Sequence, residues 1–407
     1  MKNPQTQKEM FEKMASTYGT PLYIYDADRI KQQVETFRKA FSEIDMRLFY
    51  AMKANSNLSV LKWMRFLGTG VDTVSANEVT LALRAGFRPE NIVFTPNMVH
   101  FDEIKQAAKA GVFINIENLS NLEKLGKTYG NSVPCFIRLN PLLDDKAGEN
   151  DVEAWHKQSK FGIALQQFHR VHELVDRYHI PVIGLHLHAS HVIMSREVFL
   201  RGAHVIFELA KEFPGLNYLD FGGGLRPEEP DNPKVFDIFA LAEAFREKFY
   251  QFQQETGRKL RLWFEPGRFL MRQAGYLLVQ AEVIKNNGVV DFVGVNSGFN
   301  HLIRPMFYGS WHNIVNISNP DGEKKKYNVV GNLCEIDNFA IGRTLNKVRE
   351  GDLLLIENAG AYGFSMSSHY NSRFKPAEVM IVNEKPVLVR ERDTLDDLLR
   401  NQIEIDF

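Results

Sequence analysis

Between residues 40 and 270 one unit recurs: a short β-rich apolar run, a polar or glycine-bearing junction, then a stretch with apolar residues at helical spacing. The runs are Arg47–Tyr50, Gly70–Thr73, Ile92–Thr95, Val112–Ile116, Cys135–Leu139, Val182–His188, Tyr218–Phe221 and Arg261–Glu265. Amphipathic stretches between them include Glu78–Ala85, Phe101–Ala110, Leu119–Tyr129 and Glu197–Phe213. Alternation of strand and helix implies parallel strands, because parallel neighbours need a long crossover. Eight such units fit a closed (β/α)8 barrel; an open doubly wound sheet would satisfy the alternation alone. The polar residues favour the barrel. Lys53, Asp72, Asn97, Glu117, Asn140, His188, the Gly222–Gly224 run and Glu265 each stand at or just after the C-terminal end of a run. A barrel gathers groups from all its strands on that face and builds its active site there.

After residue 270 the pattern changes. Gly275–Val283, Val290–Val295, Tyr327–Val330, Asp352–Glu357 and Glu378–Val382 are β-like, and helical spacing is scarce until Asp393–Asn401. Turn signals such as Asn286-Asn287-Gly288 and Asn319-Pro320-Asp321-Gly322 separate the runs. The expected organisation is therefore a barrel over residues 26–270 followed by an all-β domain, a sandwich or β-barrel, over residues 271–407. Residues 1–25 are expected to pack with the second domain. A chain of 407 residues is long enough for two cores.

Composition excludes several classes. The 49 Lys plus Arg against 50 Asp plus Glu leave no excess of positive charge for nucleic acid. No apolar stretch is long enough to span a membrane, and the N-terminus lacks the apolar segment of a signal peptide. Two widely separated cysteines, Cys135 and Cys334, form no disulfide framework, so a reducing, cytoplasmic setting is expected.

Lys53, in Tyr50-Ala51-Met52-Lys53-Ala54-Asn55, follows the first strand, where a desolvated amine can attack an aldehyde. Gly222, Gly223 and Gly224 close the seventh strand and can bring backbone N–H groups close to an anion such as phosphate. Glu265-Pro266-Gly267-Arg268 ends the eighth, beside another close-approach glycine. His186 and His188 share a strand face, but no Cys or carboxylate near them in sequence completes a ligand set, so no metal is expected.

Taken in order, YAMKAN, GLHLH, FGGGL, FEPGR, SGFNHLIRPMFYGSWH, the Cys334-Glu335 pair and NAGAYGFSMSSHYNSR resemble the diaminopimelate decarboxylases, which have the alanine racemase-like fold. The resemblance covers nearly the whole chain. It implies pyridoxal 5'-phosphate attached covalently through Lys53, with His188 against the cofactor ring. Gly222, Gly223, Gly224, Gly267 and Arg268 would surround the phosphate, and Glu265 would pair with the pyridine nitrogen. Tyr362 would reach both phosphate and substrate. The implied substrate, meso-diaminopimelate, carries a second amino-acid end. Arg304 and Arg268, with Tyr308, would take its carboxylate, and Glu335 its ammonium. Cys334 would supply the proton that replaces carbon dioxide, and Cys334 and Glu335 would serve the neighbouring subunit of a homodimer. The chain departs from the family in two places. Ser190-His191 stands where relatives have Gly-Ser, and Ile336-Asp337-Asn338 stands where many have Ser-Gly-Asp. Rival readings are a same-fold decarboxylase of another basic amino acid or carboxylated polyamine, an alanine racemase, and a non-catalytic pyridoxal-phosphate carrier.

Overall fold

The computed structural model describes residues 4–141, 159–188, 196–225 and 237–407. The departure at Ser190-His191 lies outside them. The chain divides into two compact units, Gln33–Leu270 and residues 4–32 with Met271–Phe407.

The first unit is a closed parallel barrel. Its strands are β1 (Met46–Ala51), β2 (Gly70–Thr73), β3 (Ile92–Phe94), β4 (Phe113–Ile116), β5 (Cys135–Asn140), β6 (Val182–Leu187), β7 (Tyr218–Asp220) and β8 (Arg261–Phe264). Each pairs with the next, and β8 pairs with β1, so the open doubly wound alternative does not hold. The helices between the strands begin and end on local signals. Ser75 Oγ accepts the Glu78 N–H at 3.2 Å at the start of Ala76–Arg84. Gly111, at φ 72°, closes Phe101–Ala110 in the left-handed region.

Side chains two residues apart on a strand share a face, so the barrel interior can be read along each strand. At its N-terminal end the interior is aromatic. Trp263 on β8 lies 4.6 Å from the Phe49 ring, 4.9 Å from Phe113, 4.8 Å from Phe136 and 4.6 Å from Tyr218. This plug dictates two glycines. A Cβ on Gly70 would meet the Phe49 ring at 2.4 Å, and one on Gly184 would meet the Phe136 ring at 2.3 Å. Two residues further along the same strands stand Asp72, Thr95, Asn115, Arg138, His186, Asp220 and Glu265, all buried. Aromatic filling below thus leaves a polar layer above it.

The second unit is a mixed β-sheet. Gly275–Asn286 is its hub, pairing with Leu22–Asp26, Leu353–Ile356 and Asp291–Val295, all antiparallel. Leu22–Asp26 also pairs in parallel with Ala377–Val382, which places the N-terminal strand inside this sheet. Phe11 and Met14 of helix Pro4–Tyr18 pack with Leu22, Ile24, Leu278, Leu355 and Val379 in its core. Strands Ile314–Asn316, Asn338–Asn346 and Lys385–Arg390 were not expected from the sequence. The first is too short to carry a pattern. In the last, Val387 and Leu388 are exposed, so no in–out alternation marks it. Among the described residues no helix is long and apolar enough to cross a membrane.

Candidate active site

Lys53 sits in a single 3-10 turn, Met52–Ala54, that directly continues β1. Its Nζ is 2.9 Å from Asp72 Oδ2 on the neighbouring strand, with the amine part-exposed and the carboxylate fully buried. Asp72 Oδ1 has no hydrogen-bond partner. Burial and the charge of Glu265 push the Asp72 carboxyl above its ordinary range, against the pull of Lys53.

Glu265 follows β8 and is the centre of the polar layer. Its Oε2 is 3.0 Å from His186 Nε2, and its Oε1 accepts from Thr95 Oγ1 at 3.4 Å. Asn115 Nδ2 donates to the same Thr95 oxygen at 2.9 Å. Burial works against ionisation of Glu265, but the charge and hydrogen bond of His186, then Lys53, hold its carboxyl down to about 2. The proton goes to Asp220 instead. Burial first, then the adjacent Glu265 charge, lifts Asp220 well above the carboxylate range. Two buried carboxyls side by side cannot both ionise, so one takes the charge and the other the proton.

The ligand atoms of His186, Asp220 and Glu265 lie within 4.8 Å of one another. No carboxylate stands near His186 in sequence, but the fold brings two beside it, from the ends of the two strands that follow in the barrel.

The glycine run is shaped by its neighbours before any ligand is considered. A Cβ on Gly222 would meet His188 Nδ1 at 2.7 Å, and one on Gly223 would meet the Glu265 carbonyl oxygen at 2.4 Å. Gly222 and Gly224 have φ of 62° and 89°. The Gly222 N–H donates to Asp220 Oδ1 at 2.8 Å and the Gly223 N–H to His188 Nδ1 at 3.1 Å. His188 is half-buried by surface area but crowded by protein. Desolvation, then the charges of Arg138, Lys53 and His186, take its pKa well below the ordinary value. A neutral imidazole accepting at Nδ1 agrees with that. Gly267 touches β1, with a Cβ there 3.0 Å from the Ala51 carbonyl oxygen. Arg268 opens the turn Arg268–Met271.

In the second unit, Arg304, Tyr308 and Tyr362 come together. Arg304 opens the short helix Arg304–Tyr308 and is buried. Its guanidinium carbon lies 5.1 Å from the Tyr308 ring centre and 5.5 Å from that of Tyr362, and Nη2 reaches Ser310 Oγ at 3.4 Å. Tyr362 has φ 57°, an unusual conformation for a bulky residue and one that collects at functional sites. Cys334 and Glu335 are exposed in the same unit, whereas Cys135 is buried, its thiol pushed up to about 12.

Thr95, Asn115, Arg138 and Asp220 were not singled out in the sequence. Stepping back two residues from each polar strand end would have found them.

Residues 27–272 match the family description "Pyridoxal-dependent decarboxylase, pyridoxal binding domain". The diaminopimelate decarboxylase of Methanothermobacter thermautotrophicus is 39% identical over 96% of this chain and 93% of its own length. The crystal structure of diaminopimelate decarboxylase from M. jannaschii in complex with L-lysine superimposes with a TM-score of 0.90 at 29% identity, covering 96% of this chain and 94% of that one. The Helicobacter pylori enzyme complexed with L-lysine gives 0.86 at 31% identity, covering 96% and 98%.

Proposed function

The chain belongs to the diaminopimelate decarboxylases, pyridoxal-dependent carboxy-lyases that convert meso-2,6-diaminopimelate to L-lysine and carbon dioxide, and we propose how its own residues divide that work. The observation that carries the reading is the extent of the similarity: it spans the barrel that holds Lys53 and Glu265 and the β unit that holds Arg304 and Cys334.

The residues present fit pyridoxal phosphate. Lys53 supplies an amine, Glu265 a carboxylate kept ionised, and Asp72 Oδ1 and His186 Nδ1 remain unpartnered in a polar, buried layer. When bound, the cofactor supplies an electron sink for the charge left by departing carbon dioxide. Lys53 would anchor it and Glu265 would pair with its ring nitrogen. His186 fixes the Glu265 carboxylate, and Asp220 keeps a proton rather than a competing charge. Gly222, Gly223, Gly224, Gly267 and Arg268 would surround the phosphate. The Gly223 N–H, which donates to His188 Nδ1 here, would be one of the donors turned to the phosphate.

Arg304, supported by Tyr308 and Tyr362, takes the distal carboxylate, for which a planar guanidinium offers two parallel donors. Ornithine has no such carboxylate. Glu335 accepts the distal ammonium, and Cys334 delivers the proton to carbon. Both are exposed, and so are Ile336 beside them and Met306, Phe307 and Trp311, which supports a homodimer in which they serve the partner's site. A cytoplasmic setting suits two unpaired thiols.

The test is a substrate panel. Incubation with meso-diaminopimelate, ornithine and alanine should release carbon dioxide and L-lysine from the first alone. Carbon dioxide from ornithine without lysine from diaminopimelate would move the chain to the rival decarboxylases.

A further inference from the structure

Cys334 does not stand alone on the surface of the β unit. Its backbone N–H donates to Asn371 Oδ1 at 3.0 Å, and Asn371 Nδ2 donates back to Sγ at 3.1 Å. The Tyr370 hydroxyl lies 3.7 Å from Sγ and donates to Glu335 Oε1 at 3.1 Å. The Tyr370 ring is itself fixed, stacked on Phe299 at 5.4 Å and 27°. Asn371 has φ 53°, and Asn tolerates that left-handed conformation better than most residues. Serving only as a turn, residue 371 could equally be glycine; its amide instead meets both the N–H and the sulfur of one residue.

We propose that Asn371 and Tyr370 are positioning residues for Cys334, Asn371 fixing Sγ and the Tyr370 hydroxyl bridging Sγ to Glu335 as the thiol proton leaves and returns. This rests on the reading of Cys334 as proton donor. In the step, the S–H bond breaks as a C–H bond forms at the carbon that lost carbon dioxide. Sulfur is left as thiolate. The Tyr370 O–H turns from Glu335 to Sγ, and a solvent proton, the one decarboxylation consumes overall, restores S–H.

The electrostatics agree. Hydrogen bonds from Asn371 and then Tyr370 lower the Cys334 pKa, against burial and the Glu335 charge. Cys334 and Glu335 raise Tyr370 to about 12, so the phenol keeps its proton. Of the other charged groups nearby, Asp337 turns to the N–H groups of Phe299 and Leu333, and Arg373 to the Asn332 carbonyl.

The experiment is the pH dependence of iodoacetamide alkylation of the holoenzyme, read at the Cys334 peptide. Cys135 is buried and stays silent. Asn371→Asp keeps the acceptor for the Cys334 N–H but exchanges the donor for a negative charge, so the midpoint should rise by roughly one pH unit or more. Asn371→Gly, compatible with the backbone, and Tyr370→Phe, which keeps the stack on Phe299, should raise it less. The alkaline limb of kcat should move up with it, because turnover needs the protonated thiol. Midpoints identical to wild type in all three variants would overturn the proposal. Cys334→Ala separates the two readings: full turnover there refutes the proton-donor role, while the alkylation midpoints still decide whether Asn371 and Tyr370 govern the thiol.

Discussion

Glu265 Oε2 lies 3.0 Å from His186 Nε2, with both side chains almost wholly buried. The pair keeps a carboxylate charged in a place where burial alone would protonate it, and Asp220 beside it holds the proton. Glu265→Gln removes the charge while keeping the shape. It should cut kcat/KM by an amount on the order of 2–5 kcal/mol, the usual loss when one member of a buried charged pair is removed. Cofactor absorbance at saturation separates lost binding from lost chemistry. Wild-type kinetics would place Glu265 outside the chemistry.

Lys53 is the amine assigned to the cofactor. Borohydride reduction of the wild type should fix the cofactor on the peptide containing Lys53, and Lys53→Ala should lose both that label and nearly all turnover. A label on another lysine would displace the assignment.

Arg304 tests specificity. Its guanidinium, flanked by Tyr308 and Tyr362, is assigned to a carboxylate that a one-headed substrate lacks. Arg304→Met should lower kcat/KM for diaminopimelate by about 2–5 kcal/mol, the cost of a lost charge-assisted pair. Unchanged kinetics would remove Arg304 from the site.

Complementation tests the shared site. Lys53→Ala and Cys334→Ala homodimers should each be severely impaired. A mixed dimer carries both lesions in one site and neither in the other, so co-refolding the two should restore activity. Demonstrated heterodimers without activity would sink the shared site and leave the decarboxylase itself intact.

The β unit has a pH dependence of its own. His312 is buried with Nδ1 2.8 Å from the Glu357 carbonyl oxygen, and His301 with Nε2 3.0 Å from that of Phe374. Burial first, then neighbouring arginines, takes them down to about 3 and about 4 despite those hydrogen bonds. The unfolded chain binds protons at these residues from about pH 6.5 downward while the folded chain does not. Stability is therefore lost as pH falls from about 6.5 and stops falling near the folded values. Each histidine should cost about 3 kcal/mol by pH 4. Denaturant unfolding at pH 7 and pH 4 checks this: His312→Gln should shrink the difference between them by about that amount, and an unchanged difference would rule His312 out.

Sequence alone determined the eight strand–helix units and favoured a barrel, because the periods of strands and helices and the polar residue ending each strand are local properties of the chain; closure is the β8–β1 pairing of the fold. β1 to β8 fall within two residues of the runs read from the pattern. It also determined which residue types could do chemistry, since Lys53, Glu265, Arg304 and Cys334 stand in distinctive motifs. The second unit was less legible. Its strand Leu22–Asp26 is inserted between Gly275–Asn286 and Ala377–Val382, a pairing that no local pattern encodes. Only the tertiary structure decided the electrostatics. That Glu265 carries the charge and Asp220 the proton depends on His186 reaching one carboxylate rather than the other across a closed barrel. That Gly222 and Gly223 must be glycine follows from His188 and the Glu265 backbone as well as from any phosphate. The seat of Cys334 depends on Tyr370 and Asn371, which the chain brings back through a left-handed turn. A sequence specifies which groups exist; burial and distance between remote strands set their protonation, and those are properties of the fold.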